Sequence, residues 1–285
     1  MLKDNVQHVQ IRTSLPLICT TMEDSGCNPL TKHQVAQLFM KITSQFEKDH
    51  PNFCGASVII AQSRTSKSIA IDHHLKLAAE LQEKYPHFFV GFDLVGQEDL
   101  GRPLVDFAQE LIELKNTHPN LRFFFHAGET DWHESAADLN IIDAILLNTT
   151  RIGHGYSITK HPQALKLLKE KDIPIEVCPI SNQVLGLVND LRNHPASHLI
   201  LQGYPIVIAS DDVASWGAHG LSDDFYEAFM GMSARNSDLK LLKKLVWNSI
   251  KYSALDAQRK QKCERIVEKK WNAFLEAFTN SLLPW

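Results

Sequence analysis

The chain has 285 residues, 44% of them hydrophobic, and this length and composition suit one α/β barrel domain with a large buried core. A formal net charge of −4 offers no electrostatic basis for nucleic acid or an acidic membrane as a partner. No apolar run approaches the roughly 20 residues of a membrane span, and the first residues lack the basic and then apolar pattern of a secretory signal.

The elements predicted along the chain alternate between strands and helices. β-Branched or apolar runs indicate strands at residues 6–12, 55–64, 88–96, 122–125, 150–158, 174–182 and 205–212. Apolar residues at helical spacing indicate helices at residues 31–49, 67–85, 104–115, 135–147, 161–170, 194–202, 223–235, 238–252 and 256–280. Thr31 is placed to cap the first helix, and Pro86 lies just past the end of the second.

This alternation predicts a parallel α/β fold. Because the strands are nearly continuous apolar runs, the sheet is expected to be buried on both faces, as in a barrel or a doubly wound sheet. Neither G-x-G-x-x-G nor G-x-x-x-x-G-K-[ST] follows a strand, and G-x-S-x-G does not occur. Nucleotide-phosphate loops of those kinds and a serine nucleophile elbow therefore have no support.

The five cysteines are sparse and lack CxxC spacing, which argues against a disulfide framework and against a structural zinc module. Cys19 and Cys27 could close a small loop, but a reduced pair fits the sequence equally well. The Asn148-Thr149-Thr150 sequon would accept a glycan only if the chain were secreted.

Polar residues follow five consecutive predicted strands. They are Gly96 to Asp99, His126 with Glu129, Gly153 to Gly155, Glu176 with Ser181 and Asn182, and Asp211 with Asp212. One histidine or aspartate at a strand end is an ordinary structural feature. Since the carboxyl ends of barrel strands converge on one active site, the set as a whole predicts a catalytic mouth.

The residue types at these strand ends favour metal-assisted attack of water. His126 and Asp211 offer an imidazole and a carboxylate to an ion such as zinc, which lowers the pKa of bound water. His154 lies between glycines, where it could polarise that water or take its proton. Glu129 is placed to protonate a heteroatom of the substrate.

Several motifs resemble the adenosine/AMP deaminase family of metal-dependent barrels. They are HAGE at 126–129, RIGHGY at 151–156, EVCPISN at 176–182 and SDD at 210–212. Longer stretches, among them FDLVGQED, HAGETDW, LNTTRIGHG and LVNDLRNHP, resemble the adenosine deaminase-related growth factors, the secreted type-2 branch. The resemblance covers essentially the whole chain. It implies a TIM-type (β/α)8 barrel, an extracellular location and a purine nucleoside as the small-molecule partner.

The resemblance implies zinc-dependent hydrolytic deamination of adenosine or 2′-deoxyadenosine to the inosine nucleoside and ammonia. His126 is similar to a metal-binding histidine, and Asp211 to the metal-binding aspartate that also receives a proton from water. Glu129 resembles the acid that protonates purine N1. His154 resembles the residue that orients the metal-bound water.

The remaining implied roles concern substrate binding and support of the catalytic residues. Asp212 would bond to purine N7 and the backbone N–H of Gly96 to N3. Glu176 resembles the carboxylate behind His154, and Ser181 the hydroxyl that orients Asp211. Trp132 could line a ribose pocket, although packing against a wall explains that tryptophan equally well.

The chain also departs from the family pattern. The family's first strand ends in His-x-His, which supplies two metal ligands, and this sequence has no such pair. We therefore expect residues 1–285 to be one barrel domain that lacks its first strand and the family's dimerisation region, with seven strands present. Val213 replaces the proline that usually follows the paired aspartates.

Two interpretations of the incomplete metal motif remain. The chain is either a piece of a complete deaminase or a natural form that has lost catalysis. A catalytically silent adenosine-binding or growth-factor-like extracellular protein is the corresponding alternative function. AMP is an alternative substrate, but no cluster of arginines or lysines lies beside the mouth motifs to hold a phosphate.

Overall fold

The computed structural model describes residues 2–23 and 26–282. Its strands are β1 Val9–Thr13, β2 Cys19–Glu23, β3 Gly26–Pro29, β4 Ala56–Ser63, β5 Phe89–Val95, β6 His126–Ala127, β7 Ile152–His154, β8 Ile175–Val177 and β9 Ile206–Ile208. The strands β1, β4 and β5 form one parallel sheet, and β6 to β9 form another in chain order. A parallel bridge between Phe92 and Phe123 connects the two sheets.

The helices that cover the strands are α1 Lys32–Asp49, α2 Ser68–Lys84, α3 Ala108–Thr117, α4 Ala136–Leu146, α5 Pro162–Glu170, α6 Pro179–Val184, α7 Pro195–Leu201, α8 Val213–Trp216, α9 Leu221–Gly231, α10 Leu239–Lys251 and α11 Ala257–Leu282. Thr31 forms a capping box with Gln34 at the start of α1, as its position before the apolar pattern predicted. No helix of the described residues is long and apolar enough to cross a membrane.

The seven parallel strands and their helices form the predicted barrel, with both faces of the sheet buried. The run Phe123 to Phe125 shows why, since all three rings are buried. Phe123 and Phe125 stack on each other within the main core, whereas Phe124 packs with Ile59 and Val90 in a separate cluster. Successive side chains of a strand point to opposite faces, so an uninterrupted aromatic run supplies both layers.

The barrel is open between β1 and β9. β1 pairs only with β4 and β9 only with β8 among the described strands, so each leaves one edge without a strand partner. A cavity of about 410 Å³ lies between these two strands, and Arg12, His126 and Asp211 line it. This is the position at which the sequence predicted a missing strand.

The sixth predicted strand is shorter than expected. It ends at Val177, and α6 begins at Pro179, so Ser181 and Asn182 lie on a helix. Proline suits the first turn of a helix, where its missing N–H leaves no bond unmade.

The expectation that disulfides would be absent as a framework was wrong, because four of the five cysteines are paired. Cys19 bonds to Cys27, which is one of the two alternatives that the sequence left open for this pair. The β2–β3 hairpin that this bond crosses was not predicted. Cys54, before β4, bonds to Cys263 on α11. The partners of the second bond are 209 residues apart, so no local spacing pattern announces it. Cys178 is free and buried, and burial raises the pKa of its thiol, as expected of an inert packing residue.

Candidate active site

A cavity of about 760 Å³ opens at the carboxyl ends of the parallel strands. Its walls hold the predicted site residues Gly96, His126, Glu129, His154, Asp211 and Asp212. A separate apolar groove of about 610 Å³ lies between the N-terminal residues and helices α9 to α11, and none of these six residues lines it. The mouth of the barrel is therefore the candidate active site.

His126, His154 and Asp211 form the core of this site, and we refer to them as the strand-end cluster. Each has a possible ligand atom within 4.8 Å of those of the others. The backbones of His154 and Asp211 have φ angles of 61° and 50°. Residues other than glycine rarely adopt this conformation, and such strain concentrates at functional sites because surrounding structure must hold it.

Asp93 orients His126. Its Oδ2 lies 2.6 Å from Nδ1 of His126, and its Oδ1 accepts from the backbone N–H of the same residue over 3.0 Å. Burial opposes a charge on the imidazole, but the nearby carboxylate outweighs burial and raises the pKa of His126. Because Nδ1 faces Asp93, Nε2 is the nitrogen that remains for a metal, and the carboxylate strengthens it as a ligand.

Ser181 orients Asp211 in the same way. The hydroxyl at the start of α6 donates to Oδ2 of Asp211 over 2.7 Å. This is the pair of residues that the family resemblance linked. One carboxylate oxygen of Asp211 is thereby directed toward Ser181 and the other remains for a ligand.

A chain of hydrogen bonds reaches His154 from behind the barrel. The backbone N–H of Ala196 donates to Nδ1 of His194 over 3.0 Å, and burial lowers the pKa of His194 to about 4. The neutral ring therefore carries its proton on Nε2, which lies 3.0 Å from Oδ1 of Asn182. Nδ2 of Asn182 lies 3.2 Å from Nδ1 of His154. This chain places the proton of a neutral His154 on Nε2, which is 3.9 Å from Asp211.

Glu129 lies in a turn that Glu98 holds in place. The buried carboxylate of Glu98 accepts from the backbone N–H groups of Gly128 and Glu129 over 3.0 and 2.7 Å. Asn140 of α4 donates to the same carboxylate over 2.6 Å. Oε1 of Glu129 is buried 3.3 Å from Nδ1 of His154 and has no hydrogen-bond partner among the described residues. A buried acid oxygen without a partner is poised to bond to a ligand.

Glu176 does not lie where it was expected. Its carboxylate binds Arg151 over 2.5 Å and Arg12 over 2.8 Å, and no hydrogen bond to His154 occurs among the described residues. Burial opposes its charge, yet the two guanidinium groups hold the pKa of Glu176 well below its usual range. Arg12 also bonds to Asp93 over 2.6 Å. Glu176 therefore supports His126 through Arg12 and Asp93, and Asn182 occupies the position behind His154.

Of the three residues predicted to bind substrate, two line the mouth cavity and one does not. Gly96 and Asp212 line the mouth cavity as expected. Trp132 does not: its side chain is 70% exposed and lies outside the cavity walls. Trp216 of α8 is the tryptophan that lines the cavity, and its indole N–H is buried without a partner among the described residues.

The sequence reasoning missed the roles of Asp93, Arg12 and Asn182. A signal existed for Asp93, since it is a single charge inside the apolar run 88–96, and a buried charge requires a partner. The sequence predicts Asn182 only as a polar residue at a strand end. Nothing in the local sequence indicates that Arg12 reaches two carboxylates from strands β5 and β8.

The "Adenosine deaminase" family model matches residues 1–270. The chain belongs to the adenosine deaminase family. It is 46% identical over 279 residues to an adenosine deaminase of Lutzomyia longipalpis, covering 98% of this chain and 53% of that protein. It is 48% identical over 241 residues to adenosine deaminase 2 of Sus scrofa, covering 85% of this chain and 47% of that protein. The chain thus spans about half the length of these relatives.

A solved structure of a Burkholderia ambifaria amidohydrolase with bound zinc has the same fold. It aligns with a TM-score of 0.72 over 97% of this chain and 71% of that one, at 20% identity. This likeness and the family match establish the deaminase-type barrel independently of the strand pattern.

Proposed function

We propose that this barrel serves the hydrolytic deamination of adenosine or 2′-deoxyadenosine with the help of zinc. The observation that carries the proposal is the strand-end cluster, which lies in one cavity with the unpartnered acid oxygen of Glu129. The donor set fits zinc, because an imidazole nitrogen and a carboxylate oxygen are both directed away from their supporting partners. Zinc, when bound, would supply a Lewis acid that activates water.

Each residue of the mouth would have its own role toward the substrate or the attacking water. Glu129 would donate a proton to a purine ring nitrogen, for which its unpartnered Oε1 is available. His154, held by Asn182, would present its Nε2–H to the attacking water and so orient it. Asp211 would accept the proton of that water and pass it to the amino group, which would leave as ammonia. Asp212 and the backbone of Gly96 would hold the purine in the cavity.

A complete zinc site in this proposal needs a further strand. Catalytic zinc normally has at least three protein ligands, and the family resemblance assigns two of them to a His-x-His strand end. The unpaired edges of β1 and β9 and the cavity between them support a strand position there. Because His126 and Asp211 line this cavity, the histidines of such a strand would face the same metal.

The experiment compares the chain as it stands with the chain extended by a first strand that ends in His-x-His. Adenosine loss is followed with zinc present, and a matched control carries the same strand ending in Ala-x-Ala. We expect turnover only with His-x-His. Inactivity of all three chains would overturn the enzymatic assignment, and purine binding without turnover or bound zinc would favour a silent adenosine-binding protein.

A nucleoside fits the mouth better than a nucleotide. Arg12 is the sole arginine or lysine in the described walls of the cavity, and Asp93 and Glu176 already bind it. A substrate phosphate would therefore find no free cation there. Comparison of adenosine and AMP turnover by the strand-extended chain tests this preference, and faster turnover of AMP would contradict it.

The disulfides support a secreted protein. Two bonds join four cysteines, and structural disulfides persist mainly in oxidising compartments. Asn148 of the sequon is exposed, so it would be accessible to glycosylation in that setting. Mass spectrometry of protein secreted from eukaryotic cells would detect both features. Free thiols at all four positions would contradict this location.

A further inference from the structure

A second group of metal-ligand side chains lies beside the barrel mouth, and we refer to it as the rim cluster: His133, Asp138 and His161. Nδ1 of His133 lies 3.3 Å from Oδ2 of Asp138, and Nε2 of His161 lies 2.8 Å from its Oδ1. Each residue offers a ligand atom within 4.8 Å of those of the other two. None of the three residues belongs to the strand-end cluster.

The rim cluster joins two segments that follow neighbouring strands. His133 lies in the loop after β6, four residues beyond Glu129, and Asp138 lies in the first turn of α4. His161 immediately precedes α5, which follows β7. Lys160 already links the segments by donating to the carbonyl of Asp131 over 2.7 Å. This hydrogen bond therefore holds the two segments close together without any contribution from the rim cluster.

The carboxylate of Asp138 lacks a permanent cationic partner. Its side chain is fully buried, and among the described residues its ion-pair partners are His133 and His161, with no lysine or arginine. The backbone N–H of Glu134 donates to this carboxylate, and Nε2 of His161 lies within hydrogen-bond distance of it. A divalent cation between the carboxylate and the two imidazoles would add the positive charge that this buried group lacks.

The backbone beside His133 is also strained. Glu134 has a φ of 58°, a conformation that residues other than glycine rarely adopt. Its backbone N–H donates to Oδ2 of Asp138 over 2.8 Å. This turn places His133 over the buried carboxylate rather than letting the loop continue into solvent.

We propose that His133, Asp138 and His161 bind a divalent transition-metal ion of the zinc type, separate from the site at the strand ends. Two imidazoles and a carboxylate are common zinc ligands, and bonds of about 2.0–2.1 Å at tetrahedral angles separate such ligand atoms by about 3.3 Å. The His133–Asp138 pair already has this separation, and the His161–Asp138 pair, at 2.8 Å, would open slightly to reach it. His133 is 55% exposed, so water can reach a fourth position. The ion clamps the loop that carries Glu129 against the segment that follows His154.

The experiment measures binding of Co²⁺ and Zn²⁺ by the chain as it exists, in parallel with His133→Gln and a matched control, His33→Gln. His33 is another exposed histidine beside a carboxylate, with Nε2 2.8 Å from Glu80, but it belongs to no three-ligand group among the described residues. We expect the chain and the control to bind one more equivalent of Co²⁺ than His133→Gln. Equal stoichiometry in all three overturns the proposal.

Thermal unfolding provides a second measurement that does not depend on activity. Zn²⁺ at 100 times its Kd should raise the Tm of the chain and of His33→Gln by about 5 °C more than it raises the Tm of His133→Gln. Circular dichroism checks that His133→Gln is folded without metal. If His133→Gln does not fold, His161→Gln takes its place and should show the same loss of the zinc-induced shift. Equal zinc-induced shifts in the chain, the control and both variants would likewise overturn the proposal. The outcome does not depend on whether adenosine is deaminated.

Discussion

The two histidine–aspartate clusters use the same side chains but are supported in different ways. In the strand-end cluster, His126 and His154 lie at the ends of parallel strands that pair with each other, and Asp211 lies just beyond β9. In the rim cluster, the ligands come from a loop, the first turn of a helix and the residue before another helix. Strands fix backbone positions through their ladders, whereas loops leave them free to adjust.

The difference extends to the groups behind the ligands. Each member of the strand-end cluster has its own supporting partner: Asp93 for His126, Asn182 for His154 and Ser181 for Asp211. His133 has no comparable partner among the described residues: its ring nitrogens lie near the carboxylates of Glu134 and Asp138, and its ring lies beside that of His161. The strand-end cluster is therefore oriented before a ligand binds, whereas an ion would order the rim cluster.

The largest expected effect comes from removal of the buried charge that supports His126. Glu176→Gln leaves Arg12 and Arg151 without their shared carboxylate, and breaking a buried ion pair costs about 3–5 kcal/mol of the free energy of unfolding. The control Glu170→Gln, an exposed pair with Lys166, should cost less than about 1 kcal/mol. Urea denaturation measures the free energy of unfolding of both variants. Equal losses would show that the buried pairs of Glu176 contribute no more to stability than the exposed pair of Glu170.

The same variant has a pH signature. The folded-state pKa of Glu176 is lowered, so the stability it contributes is present above its unfolded pKa and is lost as pH falls below that value. The protein should therefore lose stability more steeply below about pH 4.5 than Glu176→Gln does. Parallel acid-unfolding curves for the two proteins would contradict this assignment.

A smaller effect is expected from Asp93→Asn. The amide keeps the shape of the side chain but cannot strengthen His126 as a ligand, and loss of such a partner typically weakens metal binding about 10- to 100-fold. Zinc competition in the strand-extended chain measures it. Asp106→Asn, which alters an exposed pair with Arg102, is the control and should leave the affinity unchanged. Unchanged affinity in Asp93→Asn would mean that His126 needs no support.

The proton position on His154 is the next test of preorganisation. Nitrogen-detected NMR should find the proton of neutral His154 on Nε2, because Nδ2 of Asn182 faces Nδ1. Asn182→Asp replaces that donor with an acceptor and should move the proton to Nδ1, with about a tenfold loss of kcat/KM in the strand-extended chain. An unchanged proton position in the variant would show that Asn182 does not control it.

The smallest expected effect concerns Asp224 of α9, which accepts from the backbone N–H of Ile180 on α6 over 3.1 Å. Burial raises its pKa to about 7. Because the folded state holds this proton more tightly, Asp224 favours folding at low pH and its contribution falls as pH rises from about 4 to 7. Asp224→Asn should match the parent at about pH 3.5, below the unfolded pKa, and exceed it by about 1 kcal/mol at pH 8. Equal unfolding midpoints at pH 8 would exclude this contribution.

Much of the fold was predictable because local patterns specify local elements. Six of the predicted apolar runs overlap parallel strands, the run 122–125 ends directly before β6, and Thr31 predicted the start of α1. Strand lengths were less predictable, since a strand lasts only as long as its neighbour pairs with it. β6 thus contains two residues, although the preceding aromatic run is buried as expected.

By itself, the sequence determined the order of the parallel strands and of most of the helices between them, and it identified the residue types that meet at the strand ends. The tertiary structure alone decided which partners support them: Arg12 between Asp93 and Glu176, and Asn182 behind His154. It also decided that Trp132 faces solvent. The physical reason is that periodicity records which face of an element is buried, whereas contacts between distant elements depend on how the whole chain packs.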